Sequence, residues 1–210
     1  ATLYMELGRP ADALRHFTAA RALEPRSAAA WFNEGVALEA LGRLGDAADR
    51  YQKAVDLEPS YSAAHNNIGN LLAAAGRRDA ALAAYRRAAG AAPSNAEALA
   101  NLGALLVGTA PEEAAVHLEA ALRLRRDYPE AHFTLARALT LVGRPGDAVS
   151  HYRAALSTRP DWAPALVNLA WLLSAHADAA VRRPREGLLL AERAVGVTGR
   201  RDATALDVLA

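Results

Sequence analysis

The stretch Ser62–Asn95, SAAHNNIGNLLAAAGRRDAALAAYRRAAGAAPSN, decides the fold, because the chain before and after it repeats the same pattern at almost the same length. Gly69 follows Ile68. Leu72, a turn glycine Gly76, and then Ala81, Tyr85, Ala88 and Pro93 follow at fixed offsets. These offsets predict a helix, a short turn and a second helix. Where two such helices cross closely the contact needs residues without bulk, so Gly69, Ala81 and Ala88 are the crossing candidates, with Leu72 and Tyr85 filling the space around them. Gly76 suits the turn, and Pro93 ends the second helix. A helix pair of this size cannot cover its own apolar faces, so successive pairs must stack to bury a continuous core.

Working outward, residues 1–27 read as a partial repeat with Tyr4, the turn Gly8-Arg9-Pro10, and Ala13, Phe17, Ala20 and Pro25. Residues 28–61 carry Trp31, Gly35, Leu38, Gly42, Ala47, Tyr51, Ala54 and Pro59, with Glu34 where the pattern has leucine. Residues 96–128 keep Leu99, Leu102, Gly103, Ala114, Leu118 and Ala121 but are one residue shorter at VGTAPEE and close on Arg126. Residues 129–162 return to type with His132, Ala136, Gly143, Ala148, Tyr152 and Pro160. Residues 163–202 form a repeat with an insertion, DAAVRRPR, between two clear helices, and a partial repeat starts at 203–210. The expectation is an all-α chain of about a dozen helices forming one right-handed superhelical solenoid. Counted by repeat, the first residue falls inside a helix and the last reaches the same point of a later repeat, so the register describes a window from a longer array with apolar faces at both ends.

Large residue, Leu-Gly, aromatic, Ala, aromatic and Pro spread over 34 residues resemble the tetratricopeptide repeat, and the resemblance covers essentially the whole chain. It implies a recognition module without catalysis, in which the first helix of each pair lines the concave side. Asn33, Asn67, Asn101 and Asn168 share one register of those first helices, with Thr134 in the remaining repeat. Asparagine is a mediocre helix-interior residue, so its recurrence needs a reason. Primary amides offer donors and an acceptor and can pair with an extended peptide backbone. First helices about 10 Å apart would meet a strand rising about 3.3 Å per residue once every three residues or so. Alternatively, these amides bond to the neighbouring helix and fix repeat stacking. From the residues alone the two readings weigh the same.

HNNIGNLL, with ALANLGALL and ALVNLAWLL at the same register, resembles the tetratricopeptide arm of O-linked N-acetylglucosamine transferases, in which an asparagine ladder holds substrate peptide. That resemblance favours peptide binding by the ladder together with Asn66, Asn70, Phe133, Arg137 and Trp171 on the groove wall, where Phe32, Val36, Ala100, Ala104 and Val167 also fall. Phe133 and Trp171 are apolar anchors for a peptide side chain, or packing against the next repeat. Domains of this fold that clamp acidic chaperone tails use lysines at the inward registers, and this chain has none there. The C-terminal part resembles tetratricopeptide tails of bacterial multidomain proteins. The alternative functions are a scaffold that self-associates through repeat ends or its convex face, and the substrate-recruiting arm of an enzyme whose catalytic domain lies outside the chain.

Composition bounds the rest. The 210 residues are 52% hydrophobic and 22% charged with a formal net charge of +1, and the charges are spread evenly along the chain, which argues against an electrostatic grip on nucleic acid. There is no cysteine, so disulfides, thiolate metal sites and cysteine nucleophiles are excluded. No cofactor is expected, and no apolar run is long enough for membrane insertion; a soluble protein is expected, with the cytoplasm favoured. His16, His117 and His151 share a second-helix register but lie one repeat apart, too far to chelate one ion, and His65 and His132 replace Trp31 against a neighbouring helix. Arg182, Arg183 and Arg185, with Arg200 and Arg201, read as a solvated loop or as a basic edge for an acidic partner. No nucleophile–base arrangement, phosphate loop or metal motif appears.

Overall fold

The computed structural model describes residues 1–176 and 178–199. The partial repeat expected at 203–210, and Arg200 and Arg201 of the basic edge, lie outside the described residues. Twelve helices follow one another among the described residues, with no strand: α1 Thr2–Glu6, α2 Pro10–Leu23, α3 Ala28–Ala40, α4 Leu44–Leu57, α5 Ser62–Ala74, α6 Arg78–Ala91, α7 Ala96–Leu106, α8 Pro111–Leu124, α9 Pro129–Leu141, α10 Pro145–Thr158, α11 Ala163–Ala175 and α12 Pro184–Thr198. They fall into two compact units, Ala1–Leu102 and Gly103 onward, described separately below.

In the first unit each helix from α1 to α6 packs on its successor; in the second the same holds from α8 to α12. The crossing points are where small residues recur. A Cβ added at Gly35 would stand 2.6 Å from a ring carbon of Tyr51, and one at Gly69 would stand 2.5 Å from a ring carbon of Tyr85. At Gly103 it would stand 2.6 Å from Leu118 Cγ. On the facing helices Ala47, Ala81, Ala114 and Ala148 are completely buried. The helix-to-helix turns use a left-handed glycine, with φ 72° at both Gly42 and Gly76, which a residue with a Cβ adopts only at a cost.

Helix starts are built alike. Arg9, Arg43 and Arg144 stand at N-caps and each bonds the aspartate three residues on, Nε to Oδ2 at 2.7 Å to Asp12, Asp46 and Asp147. That carboxylate in the first turn also faces the positive end of the helix dipole. The inserted segment between α11 and α12 is an ordered turn. The Asp178 side chain accepts from Ala180 N at 2.8 Å, and Arg183 N donates to Leu173 O at 2.8 Å.

Candidate functional site

In the first unit the asparagines bond mainly to one another. Asn101 Nδ2 donates to Asn66 Oδ1 at 3.0 Å and to Asn70 Oδ1 at 3.1 Å, tying α7 to α5. The Asn70 oxygen also accepts from Tyr85 Oη at 2.8 Å. Asn67 bonds the Tyr51 hydroxyl, which itself donates to Glu39. Asn66, expected on the groove wall, is 2% exposed. Its carbonyl serves the next first helix. Burial, chiefly, raises the Tyr51 and Tyr85 hydroxyls above the usual tyrosine range, so both remain donors. Asn33, by contrast, is half-buried with no hydrogen-bond partner among the described residues.

The second unit is arranged differently. Arg137 on α9 and Asn168 and Trp171 on α11 line a cleft of about 220 Å³ with Thr140, Tyr152 and Leu172. Trp171 is 54% exposed, and neither Asn168 nor Arg137 has a hydrogen-bond or ion-pair partner among the described residues. The Arg137 guanidinium lies 5.9 Å from the Phe133 ring centre. Phe133 is committed to packing, with ring centres 4.7 Å from Trp162 and 5.9 Å from Tyr152. Phe32 repeats that arrangement with Tyr61 and Tyr51 in the first unit, so the register is an aromatic joint in both units. Tyr152, at the floor of the cleft, is pushed up to about 12 by burial, opposed by its bond with Thr140. A cation, an unpaired amide and an open indole face can hold a peptide segment; among the described residues no group of three or more acidic, histidine or cysteine side chains could hold a metal ion.

The histidines have structural work. His65 Nε2 lies 2.9 Å from Pro59 O and His132 Nε2 lies 3.0 Å from Arg126 O, the same bond that Trp31 Nε1 donates to Pro25 O at 2.9 Å. A ring N–H at this register thus clasps the loop six residues earlier. Because His132 Nε2 faces a carbonyl it carries the hydrogen, and its Nδ1 accepts from His151 Nδ1 at 2.9 Å. Burial first, then His132, lowers the His151 basicity. His151, partly exposed on its second helix, is one half of a joint between α9 and α10.

Glu34 was legible only as a departure from the pattern. It is 4% exposed, with Arg21 Nε 2.6 Å and Arg50 Nε 3.1 Å from Oε2, and Thr18 Oγ1 donates to Oε1 at 3.0 Å. Both guanidiniums also cover the Trp31 ring, at 4.7 Å and 5.4 Å from its centre. The signal available in sequence was three charges, Arg21, Glu34 and Arg50, each about half a repeat from the next.

Two sequence signatures described as tetratricopeptide repeat match the chain, one over residues 1–62 and 104–163 and the other over 62–95. The chain belongs to the tetratricopeptide-repeat family. Among solved structures, this tetratricopeptide-repeat chain is similar to YrrB, described as a TPR protein with an unusual peptide-binding site, at 24% identity and a TM-score of 0.74 over 91% of this chain and 96% of that one. It is similar to MamA at 17% identity and a TM-score of 0.66, over 80% of this chain and 95% of that one. It is also similar to pilF of Pseudomonas aeruginosa at 22% identity and a TM-score of 0.67, over 98% of this chain and 83% of that one. At these identities the likeness is one of fold. No curated protein matches the chain in sequence. No helix among the described residues is long and apolar enough to cross a membrane.

Proposed function

We propose that this tetratricopeptide-repeat chain is a non-catalytic protein-interaction module that holds an extended peptide segment against its first-of-pair helices, anchored in the second unit at Arg137, Asn168 and Trp171. The observation that carries the proposal is Trp171, a large apolar side chain 54% exposed beside an amide without an internal partner. A tryptophan in a cleft is the kind of residue that dominates binding energy. The peptide-binding description of YrrB, a protein of the same fold, supports the same reading.

The ladder then has two roles. In the first unit the amide of Asn67 is engaged with Tyr51 of the preceding second helix, and that of Asn101 with Asn66 and Asn70, which sets the spacing of the first helices α5 and α7. Asn33 and Asn168 keep their donors and acceptor available to a peptide backbone. The test is a peptide-library binding assay on the wild type, Trp171→Ala and Asn168→Ala. Selected peptides should bind the folded variants at least tenfold more weakly. Unchanged binding by both would overturn the proposal, and absence of peptide binding with self-association of the chain would favour the scaffold function.

A further inference from the structure

The α4–α5 pair of the first unit and the α10–α11 pair of the second are register equivalents: Ala47, Tyr51, Ala54 and Asn67 correspond to Ala148, Tyr152, Ala155 and Asn168. On the side away from the asparagines, Gly146, Val149, Ser150, Arg153 and Leu173 line a small cleft of about 180 Å³. The inserted turn of the chain itself walls this cleft on one side, through Ala180, Val181 and Arg183. Arg183 N bonded to Leu173 O, and the two bonds from Val181 N and Arg182 N to Asp178 O, hold the turn against it.

The equivalent residues of the first unit, Gly45, Ala48, Asp49, Gln52 and Leu72, line a cleft of about 580 Å³. Here the chain makes the short Gly76 turn directly into α6, and the cleft lining comes from α4, α5 and that turn. Two residue choices enlarge and polarise it. Ala48 stands where its counterpart α10 has Val149, at a register that elsewhere carries Leu14, Leu82 and Ala115. Asp49, where α10 has Ser150, is exposed and has no hydrogen-bond or ion-pair partner among the described residues. At the rim Leu44 is 48% exposed. A second cleft of about 270 Å³ shares Gln52, Ile68 and Leu72 and continues the apolar surface toward Ala80 and Ala83 of α6.

We infer that the α4–α5 cleft is a docking site for a segment of a partner protein that presents what the inserted turn presents to its own cleft with Val181 and Arg183: a β-branched aliphatic side chain with an arginine two residues on. The aliphatic group enters the volume left by Ala48 above Leu72, the counterpart of the cleft that Val181 lines with Val149 and Leu173. The arginine meets the Asp49 carboxylate, which lies in the cleft lining with Arg77; the α10–α11 cleft has no carboxylate in its lining among the described residues. A second copy of this chain is the less suitable occupant, because its turn is already bonded to Leu173 through Arg183.

The experiment titrates the full chain into a labelled, end-blocked peptide of residues 178–185, DAAVRRPR, and follows anisotropy. The expected result is saturable binding that Ala48→Leu weakens at least tenfold and Asp49→Lys at least fivefold, while Trp171→Ala leaves it unchanged. Leucine occurs at this register at Leu14 and Leu82, so Ala48→Leu should keep the wild-type melting temperature. A peptide with Val181→Asp should not bind. Equal binding to Ala48→Leu overturns the inference, as does failure of the peptide to saturate the wild type. So does self-association in sedimentation velocity that Ala48→Leu abolishes, which would assign the cleft to a second copy.

Discussion

Replacing Asn101 by alanine separates the two roles of the asparagine register. The substitution removes the donor to Asn66 Oδ1, an acceptor on a residue only 2% exposed, and the donor to Asn70 Oδ1, which keeps Tyr85 Oη. Leaving the first acceptor unpaired costs about 1–3 kcal/mol, and the second bond contributes about 0.5–1.5 kcal/mol. The first unit should therefore lose about 1.5–4.5 kcal/mol, an effect visible as a lower urea midpoint in far-ultraviolet circular dichroism. Asn168→Ala makes the same change of helix propensity but breaks no internal bond, and should stay within about 0.5 kcal/mol of wild type. Asn66 and Asn101 replaced together should be non-additive, with a coupling of about 1 kcal/mol. If Asn101→Ala and Asn168→Ala are equally tolerated, the amide network contributes nothing to stacking and the reasoning fails.

Other perturbations test separate joints. Gly69→Ala places a methyl 2.5 Å from the Tyr85 ring and should destabilise the first unit by more than the ~1–3 kcal/mol typical of overpacking, measured by thermal unfolding. Arg21→Met with Arg50→Met leaves Glu34 buried without a counter-charge and should cost about 3–5 kcal/mol in urea unfolding, whereas adding Glu34→Leu to the pair should restore most of it. His151 takes up a proton less readily when folded than its ordinary value near 6.5, so below that pH the unfolded chain binds a proton the folded chain resists. Stability of the second unit should therefore be full above pH 7 and fall as the pH drops from 6.5 toward the lowered value. His151→Gln should flatten that dependence in melting curves taken at successive pH values.

Sequence showed the helix pairs, their turns and their crossing points because small-residue spacing answers to backbone approach, which admits few alternatives. Gly35, Gly69 and Gly103 sit against large side chains as the pattern requires. The site was harder to read because one register serves two purposes. Asn101 and Asn168 are identical in type and place, yet the first faces Asn66 and Asn70 while the second faces Thr140 and Trp171, and that difference comes from neighbours a repeat away. The same long-range dependence hid the Glu34 cluster and the His132–His151 joint, whose partners lie 16 and 19 residues apart. The insertion was visible as extra length, but only its fold shows that it lines a cleft of about 180 Å³ whose counterpart in the first unit is about 580 Å³.

The most direct test of the central claim follows the emission of Trp171 alone. Trp31→His and Trp162→Tyr remove the other two tryptophans using residues that the chain itself places at those registers, at His65 and His132 and at Tyr61 and Tyr128. With a peptide selected from the library, the account predicts a saturable blue shift of Trp171 emission and protection from acrylamide as the indole is covered. Saturable peptide binding that leaves Trp171 emission and quenching unchanged would contradict it.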